Sequence, residues 1–249
     1  MTGLISAGMA YAVANVTLIS TALFLTGLLP SLSVDRGLWP APLGWPAAAA
    51  VDIALVLLFG LQHSVMARAG FKAWLTRLVP PHLERSVYLL ATCIALGLLL
   101  ALWQPIAPVL WQVAAPLASG LLWALFAVGW LLVVASTFMI DHFALFGLTQ
   151  AWRQYRAARG HINPELRDEF RTPLMYRLVR HPLYLGVVIG FWATPLMTAG
   201  HLLLAAGMTL YIFVGIAYEE RDLMVRFGER YRDYRRRVPA LIPWLGAGR

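Results

Sequence analysis

Uncharged apolar runs at about 4–29, 47–66, 87–104, 120–146, 183–198 and 201–218 alternate with short polar connections and one longer polar stretch, 147–182. A bilayer core of roughly 30 Å takes about 20 helical residues to cross, so these runs predict transmembrane helices. The fifth run is different: as a helix, Leu183–Thr194 rises only about 18 Å. Pro182 suits the first turn of that helix, where a missing N–H costs nothing. Pro195 breaks it and Ala199-Gly200 permits a turn, so the last two runs predict a kinked hairpin, counted as one span or two. Beyond Glu219, the positions Leu223, Phe227, Tyr231 and Tyr234 recur at helical spacing among arginines, the pattern of an amphipathic helix lying at an interface. The expected fold class is an all-α integral membrane protein of five to six transmembrane helical segments. A C-terminal helical hairpin and a cytoplasmic amphipathic helix complete it. Residues 1–146 hold four segments, 147–249 hold the linker, hairpin and tail, and the two parts form one integrated domain.

Charge orients this arrangement. Arg68, Lys72, Arg77 and Arg85 occupy 67–86, seven arginines occupy 147–182 and eight follow Glu219, so 19 of the 20 Lys and Arg fall on one face. Positive charge marks the cytoplasmic side of a membrane helix, which puts both termini in the cytoplasm. The first run has no Lys or Arg before Arg36 and lacks the basic start of a secretory signal, so it reads as a retained helix. With 60% apolar and 13% charged residues the chain is not a soluble domain. Its pI of about 10.1 reflects charges beside membrane segments, which meet lipid headgroups and not nucleic acid. The single cysteine, Cys93, excludes an internal disulfide and a Cys₄ or Cys₂His₂ zinc site.

The same topology brings polar side chains to one depth. Gln62-His63-Ser64 end the second run, Asp141-His142 lie near the end of the fourth, Arg180-His181 open the hairpin and Glu219-Glu220 close it. Ionisable groups at membrane depth are costly, so such a layer marks a functional site. Taken singly, each has a plainer reading. Arg180 is a snorkelling arginine, His181 a cap, Glu219-Glu220-Arg221 a solvated charge run, and Tyr176, Tyr184 and Tyr231 interface aromatics. Placed together at both ends of one hairpin, they read as a site. His82, His161 and His201 read as loop residues without a role.

The tract from Thr172 through Arg180-His181-Pro182-Leu183-Tyr184-Leu185-Gly186, followed by Glu219-Glu220-Arg221-Asp222-Leu223 and Phe227-Gly228-Glu229-Arg230-Tyr231-Arg232-Asp233-Tyr234, resembles the catalytic half of the integral-membrane methyltransferases typified by isoprenylcysteine carboxyl methyltransferase. The likeness covers mainly 170–243. It implies S-adenosylmethionine as cofactor, S-adenosylhomocysteine as product, and cofactor contacts from His181, Tyr184 and Glu219 or Glu220; Tyr176 and Arg180 complete the expected cofactor-binding set with both carboxylates. Those enzymes usually carry Gly two residues before the Tyr that precedes Arg-His-Pro, where this chain has Leu174. Further stretches extend the resemblance to a bacterial branch, the methanethiol S-methyltransferases and their NnrU-like relatives, over about 55–243. They are Gln62–Arg68, Val79–Tyr88, Ile140–Leu148, Phe170–Leu174, a branch pattern that includes Leu174, and Phe191–His201. This branch implies a small volatile thiol as substrate, conversion of methanethiol to dimethyl sulfide, and residence in a bacterial inner membrane.

That chemistry is physically consistent with the residues. A sulfonium donor with an amino-acid end and a ribose-adenine end calls for carboxylates, cations or free N–H groups, and an aromatic wall. No G-x-G-x-x-G or P-loop competes with this reading, and methyl transfer requires no metal. The thiolate is the reactive form, so His63 or His142, the latter oriented by Asp141, is expected to accept the thiol proton. Two other readings compete. One keeps the chemistry on a lipid-like acceptor, a prenylcysteine carboxylate or a phospholipid amine. The other is a haem-binding or denitrification-accessory protein with His63 and His142 as axial ligands, which leaves Glu219-Glu220 and Arg180-His181-Pro182 unexplained.

Overall fold

The computed structural model describes residues 1–29, 31–38, 43–162 and 170–243. Helices α1 (Thr2–Thr26), α2 (Trp45–Ala67), α3 (Ala69–Leu75) and α4 (Glu84–Leu102) lead into strand β1 (Val109–Gln112). Then follow α5 (Pro116–Ile140), α6 (His142–Leu145), α7 (Leu148–Ala157), α8 (Pro182–Trp192), β2 (Leu196–Thr198), α9 (Ala199–Phe227) and α10 (Glu229–Arg237). Among the described residues five helices are long and apolar enough to cross a membrane: α1, α2, α4 with the turn before it, α5 and α9. Leu28, Leu57, Leu61, Leu117 and Leu131 are among the large apolar side chains left exposed on these helices and their ends, as expected where lipid is the solvent.

The chain divides into two compact units, Met1–Leu110 with Asp141–Glu165 and Met197–Leu204, and Trp111–Ile140 with Leu166–Leu196 and Ala205–Arg249. In the first unit α4 packs against both α1 and α2, and α7 packs on α1. Small residues Ala7, Ala10 and Ala14 form the buried stripe of α1, the composition that lets helix backbones approach when lipid removes any hydrophobic drive. This unit also holds two carboxylate ties. Asp52, with no exposed surface, accepts from the Gln104 N–H at 2.9 Å. Asp35 accepts from the Thr198 hydroxyl at 2.7 Å. His201 is not the loop residue expected from sequence; it lies in the first turn of α9 and is completely buried.

In the second unit α5 and α8 cross at a glycine seam. A Cβ on Gly186 would sit 2.5 Å from the Gly129 carbonyl oxygen and 2.9 Å from the Val133 nitrogen. One on Gly129 would sit 2.8 Å from the Gly186 oxygen. The two backbones therefore touch, and no other residue fits either position.

The hairpin differs in detail from a pair of helices. α8 has 11 residues and rises about 16 Å, after which Ala193–Pro195 leave the helix and the chain becomes extended. β2 pairs with β1, a short two-stranded element the apolar pattern did not disclose. Backbone groups freed from a helix in lipid need a partner, and two of the carbonyls here have one. The Val113 N–H donates to Pro195 O at 2.8 Å, and the Trp111 indole donates to Thr194 O at 3.1 Å. α9 is longer than its apolar run, continuing through Glu219-Glu220-Arg221-Asp222 to Phe227. Gly228, at φ 57 and ψ −129, then turns the chain in a conformation open to glycine. The tail is thus two helices, and its aromatic face is internal. Tyr231 and Tyr234 are buried, with Phe170, Leu223, Met224 and Phe227 packed around them.

The seam makes a direct prediction. Gly186→Ala destabilises the protein by at least about 1–3 kcal/mol through overpacking. Gly97→Ala, whose Cβ meets nothing within 4 Å, is neutral or stabilising by up to about 1 kcal/mol. Thermal unfolding in detergent compares the two.

Candidate functional site

Pro182 opens α8 and leaves His181 as its N-cap, at φ −126 and ψ 64. The uninterrupted turn of α9 through residues 219–220 presents two adjacent carboxylates toward this point. Arg180, His181 and Glu220 are all buried, and they form one network. Arg180 Nε donates to Glu220 Oε1 at 2.7 Å, and His181 Nε2 lies 3.1 Å from the same oxygen. Glu220 Oε2 pairs with Arg235 Nε at 3.0 Å. Both carboxylate oxygens are therefore satisfied, as a buried anion requires.

Glu219 has a different environment. Its side chain is 45% exposed and its Oε2 is 3.8 Å from His181 Nδ1, so it is the accessible carboxylate of the two. Tyr184 sits one turn along α8, its ring 5.6 Å from that of His181, against the buried Ile212, Ile216 and Leu241. Tyr176 completes the group. Burial raises its phenol above the ordinary value, and the charge of Glu219 and the neighbouring Tyr234 add to the shift. Its carbonyl accepts from the Tyr234 hydroxyl. Tyr176, Arg180, His181, Tyr184, Glu219 and Glu220 thus all belong to the second unit, at the junction of the tract before α8, α8 itself and α9. Leu174, in the position where glycine was expected, has φ 36. The chain keeps a conformation suited to glycine although a side chain is present.

Three further participants were not evident in the sequence. Arg235, on α10, supplies the second cation to Glu220, and the carbonyls of Arg235 and Val238 accept from Arg180 Nη1, the former at 3.0 Å. Arg235 was hidden in a run of three arginines that reads as a solvated surface; only the return of α10 after Gly228 singles it out.

His63, Asp141 and His142 lie in the first unit. The His63 ring is stacked on Phe59, and the Tyr88 hydroxyl lies 3.0 Å from Nδ1 and 2.9 Å from Nε2. Thr92 Oγ1 is 3.2 Å from Nδ1. Asp141 is the N-cap of α6: its Oδ1 accepts from the Ala144 N–H at 2.9 Å. The His142 ring meets Tyr11 of α1, Nε2 to Oη at 2.9 Å, beside Phe146 at 4.8 Å between ring centres. Tyr11, a lone tyrosine in an apolar helix, gave no signal in the sequence. Burial lowers the His142 imidazole below its ordinary value, with the charge of Asp141 opposing, so the neutral ring prevails near neutral pH. The two histidine neighbourhoods are joined through Arg85. Its guanidinium carbon lies 5.0 Å from the centre of the Tyr88 ring, and its Nε donates to Leu145 O of α6 at 2.7 Å. Among the described residues no group of three or more His, Cys, Asp or Glu is arranged to hold a metal ion.

With five membrane-length helices and a half-length helix among its described residues, the chain is a polytopic membrane protein, and its second unit carries a buried Arg180-His181-Glu220 cluster. The chain belongs to the NnrU protein family, whose model matches residues 51–245. Among curated relatives, the methanethiol S-methyltransferase of Mycobacterium tuberculosis (strain ATCC 25618 / H37Rv) is 50% identical over 221 residues, 89% of this chain and 87% of that one. That of Pseudomonas sp. (strain GM41(2012)) is 48% identical over 227 residues, 90% of this chain and 84% of that one. Nurim of Homo sapiens is 34% identical over 189 residues, 74% of this chain and 68% of that one. No solved structure matches the chain.

Two predictions follow from burial. Glu220→Ala leaves Arg180 charged and uncompensated and costs about 3–5 kcal/mol, whereas Glu219→Ala costs less than about 1 kcal/mol; denaturation in detergent separates them. Burial also pushes the Tyr234 phenol from 10.0 up to about 12, Arg180 opposing and Glu220 adding. Its folded value is raised, so its contribution to stability is complete below pH 10.0 and disappears as pH rises through about 12. Unfolding measured against pH, with phenolate absorbance as the second readout, checks the window.

Proposed function

We propose that this protein is a methyltransferase that moves the methyl group of S-adenosylmethionine to methanethiol, giving dimethyl sulfide, S-adenosylhomocysteine and a proton. The observation that carries the reading is the family membership together with relatives named methanethiol S-methyltransferase, 50% and 48% identical over most of both chains. We place the protein in a bacterial inner membrane with both termini and the site at the cytoplasmic face, because the Lys and Arg gather on one side.

The residues of the second unit fit the donor. Glu219 offers an accessible carboxylate beside His181 for an amino group or ribose hydroxyls. The Tyr184 and Tyr176 rings offer an aromatic wall, and Arg235, whose side chain is 49% exposed, offers a cation for a carboxylate. Bound there, the donor supplies an electrophilic methyl group on a sulfonium. The remaining work for the protein is to hold the acceptor in line, exclude water and remove the thiol proton. We assign proton acceptance at Nε2 or Nδ1 to His142, which is neutral near pH 7. Tyr11 holds the ring and Asp141 holds α6 in place. His63, between Tyr88 and Phe59, is the second candidate base. A small apolar thiol partitions into lipid and asks for little more than an apolar recess.

The test uses purified protein in detergent, S-adenosylmethionine and methanethiol, with dimethyl sulfide assayed in the headspace. Product is expected, and it should fall by about 10²–10⁴-fold in His142→Ala while donor affinity by calorimetry stays within about twofold. Equal loss of turnover and affinity would remove the base assignment. Donor binding without dimethyl sulfide would move the acceptor to a lipid, and a visible absorption band without donor binding would replace the reading with a haem protein.

A further inference from the structure

The guanidinium of Arg180 has little surface exposed, 9% for the residue, and what it touches is chain. Nη1 donates to the carbonyls of Arg235 and Val238. The backbone N–H of Arg180 donates to Pro239 O at 2.8 Å, and that of His181 donates to Ala240 O at 3.0 Å. Nε meets Glu220 Oε1, while Arg235 reaches the other oxygen of the same carboxylate. Four backbone carbonyls between residues 235 and 240 are thus held by the Arg180-His181 dipeptide. The ring is closed through α9.

We infer that Arg180 is a positioning residue of the methyl-donor site. It clasps residues 235–240 against the start of α8, and it acts on the donor through the two groups that the clasp holds at the rim, His181 and Glu219. The inference rests on the proposed function for its statement about the donor. The last carbonyls of a helix have no partner within the helix and carry its negative end. Arg235 lies in the last turn of α10, so its carbonyl is such a group, and a buried guanidinium is a fitting partner. The planar fork meets a carboxylate and two carbonyls at once, which the single ammonium of lysine does less well. A snorkelling arginine would instead reach water, whereas Nε and Nη1 spend three of the five guanidinium N–H groups on Glu220 and the carbonyls of Arg235 and Val238.

Limited trypsin digestion of the full chain in detergent reads the clasp without any assay of methyl transfer, because the bond after Arg237 lies inside the clasped stretch. Arg180→Lys should be cut there at least about tenfold faster than wild type, with cutting after Arg77 unchanged, since local opening sets such rates. Saturating S-adenosylmethionine should slow that cut again, because a ligand that binds the closed form stabilises it. For the same reason, the KM for the donor should rise while kcat recovers at saturation. Glu219→Gln should weaken donor binding and leave the cut after Arg237 as in wild type. Wild-type cutting of Arg180→Lys together with weaker donor binding overturns the inference in favour of direct contact. Faster cutting that the donor neither slows nor translates into a higher KM reduces Arg180 to a purely structural tie and also overturns it. Should Arg180→Lys fail to fold, Glu220→Gln keeps an oxygen for Nε, removes the charge and is expected to loosen the same bond. A wild type that binds no donor overturns the positioning role along with the proposed function, and the cutting ratio then still decides whether the clasp exists.

Discussion

The second unit depends on one buried ion pair, Arg180 with Glu220. Removing two charges from water is unfavourable by several kcal/mol each, and mutual attraction rarely repays it unless further hydrogen bonds fill the remaining sites. Here those bonds come from three directions. His181 and Arg235 complete the carboxylate, and the carbonyls of Arg235 and Val238 complete the guanidinium. The pair therefore holds α9, the opening of α8 and the segment after α10 at one point. The exposed Glu219 lies one residue from that junction.

Lipid as solvent imposes the second constraint. Apolar contact between helices has little driving force in hydrocarbon, so packing rests on close backbone approach and on satisfied polar groups. Gly129 and Gly186 provide the first, in contact so tight that a Cβ on either meets backbone. The β1–β2 pairing provides the second, since the chain leaves its helix at Ala193 with donors and acceptors that membrane depth does not forgive. Asp52 and Asp35 serve the same end in the first unit, each tying a chain segment that has left a helix or is about to enter one.

The histidines of the first unit show how a neutral ring is kept ready. His142 is buried against aromatic rings and held by the Tyr11 hydroxyl, and burial outweighs the charge of Asp141. Asp141 works on the backbone of α6 and so fixes the helix that carries the ring. Arg85 reaches from α4 to both neighbourhoods, over Tyr88 and onto Leu145 O, so a single side chain steadies His63 and His142 together.

Sequence alone determined the membrane class, the long spans and the short fifth segment, and it singled out Arg180, His181 and Glu220, which the structure brings together. Bilayer thickness converts apolar length directly into helices, and ionisable groups near that thickness are conspicuous. The tertiary structure decided what each polar residue does. Arg235 is indistinguishable from a surface arginine until Gly228 turns α10 back, because a contact made across the fold leaves no trace in residue type. Tyr231 and Tyr234 have the spacing of a lipid-facing stripe, yet the same spacing serves a face buried on Phe170. Tyr11 lies 131 positions from His142, and the Trp111 indole donates to the Thr194 carbonyl 83 positions along the chain. Periodicity reports which face of an element is apolar, whereas the partner across the contact is chosen only when the chain has folded.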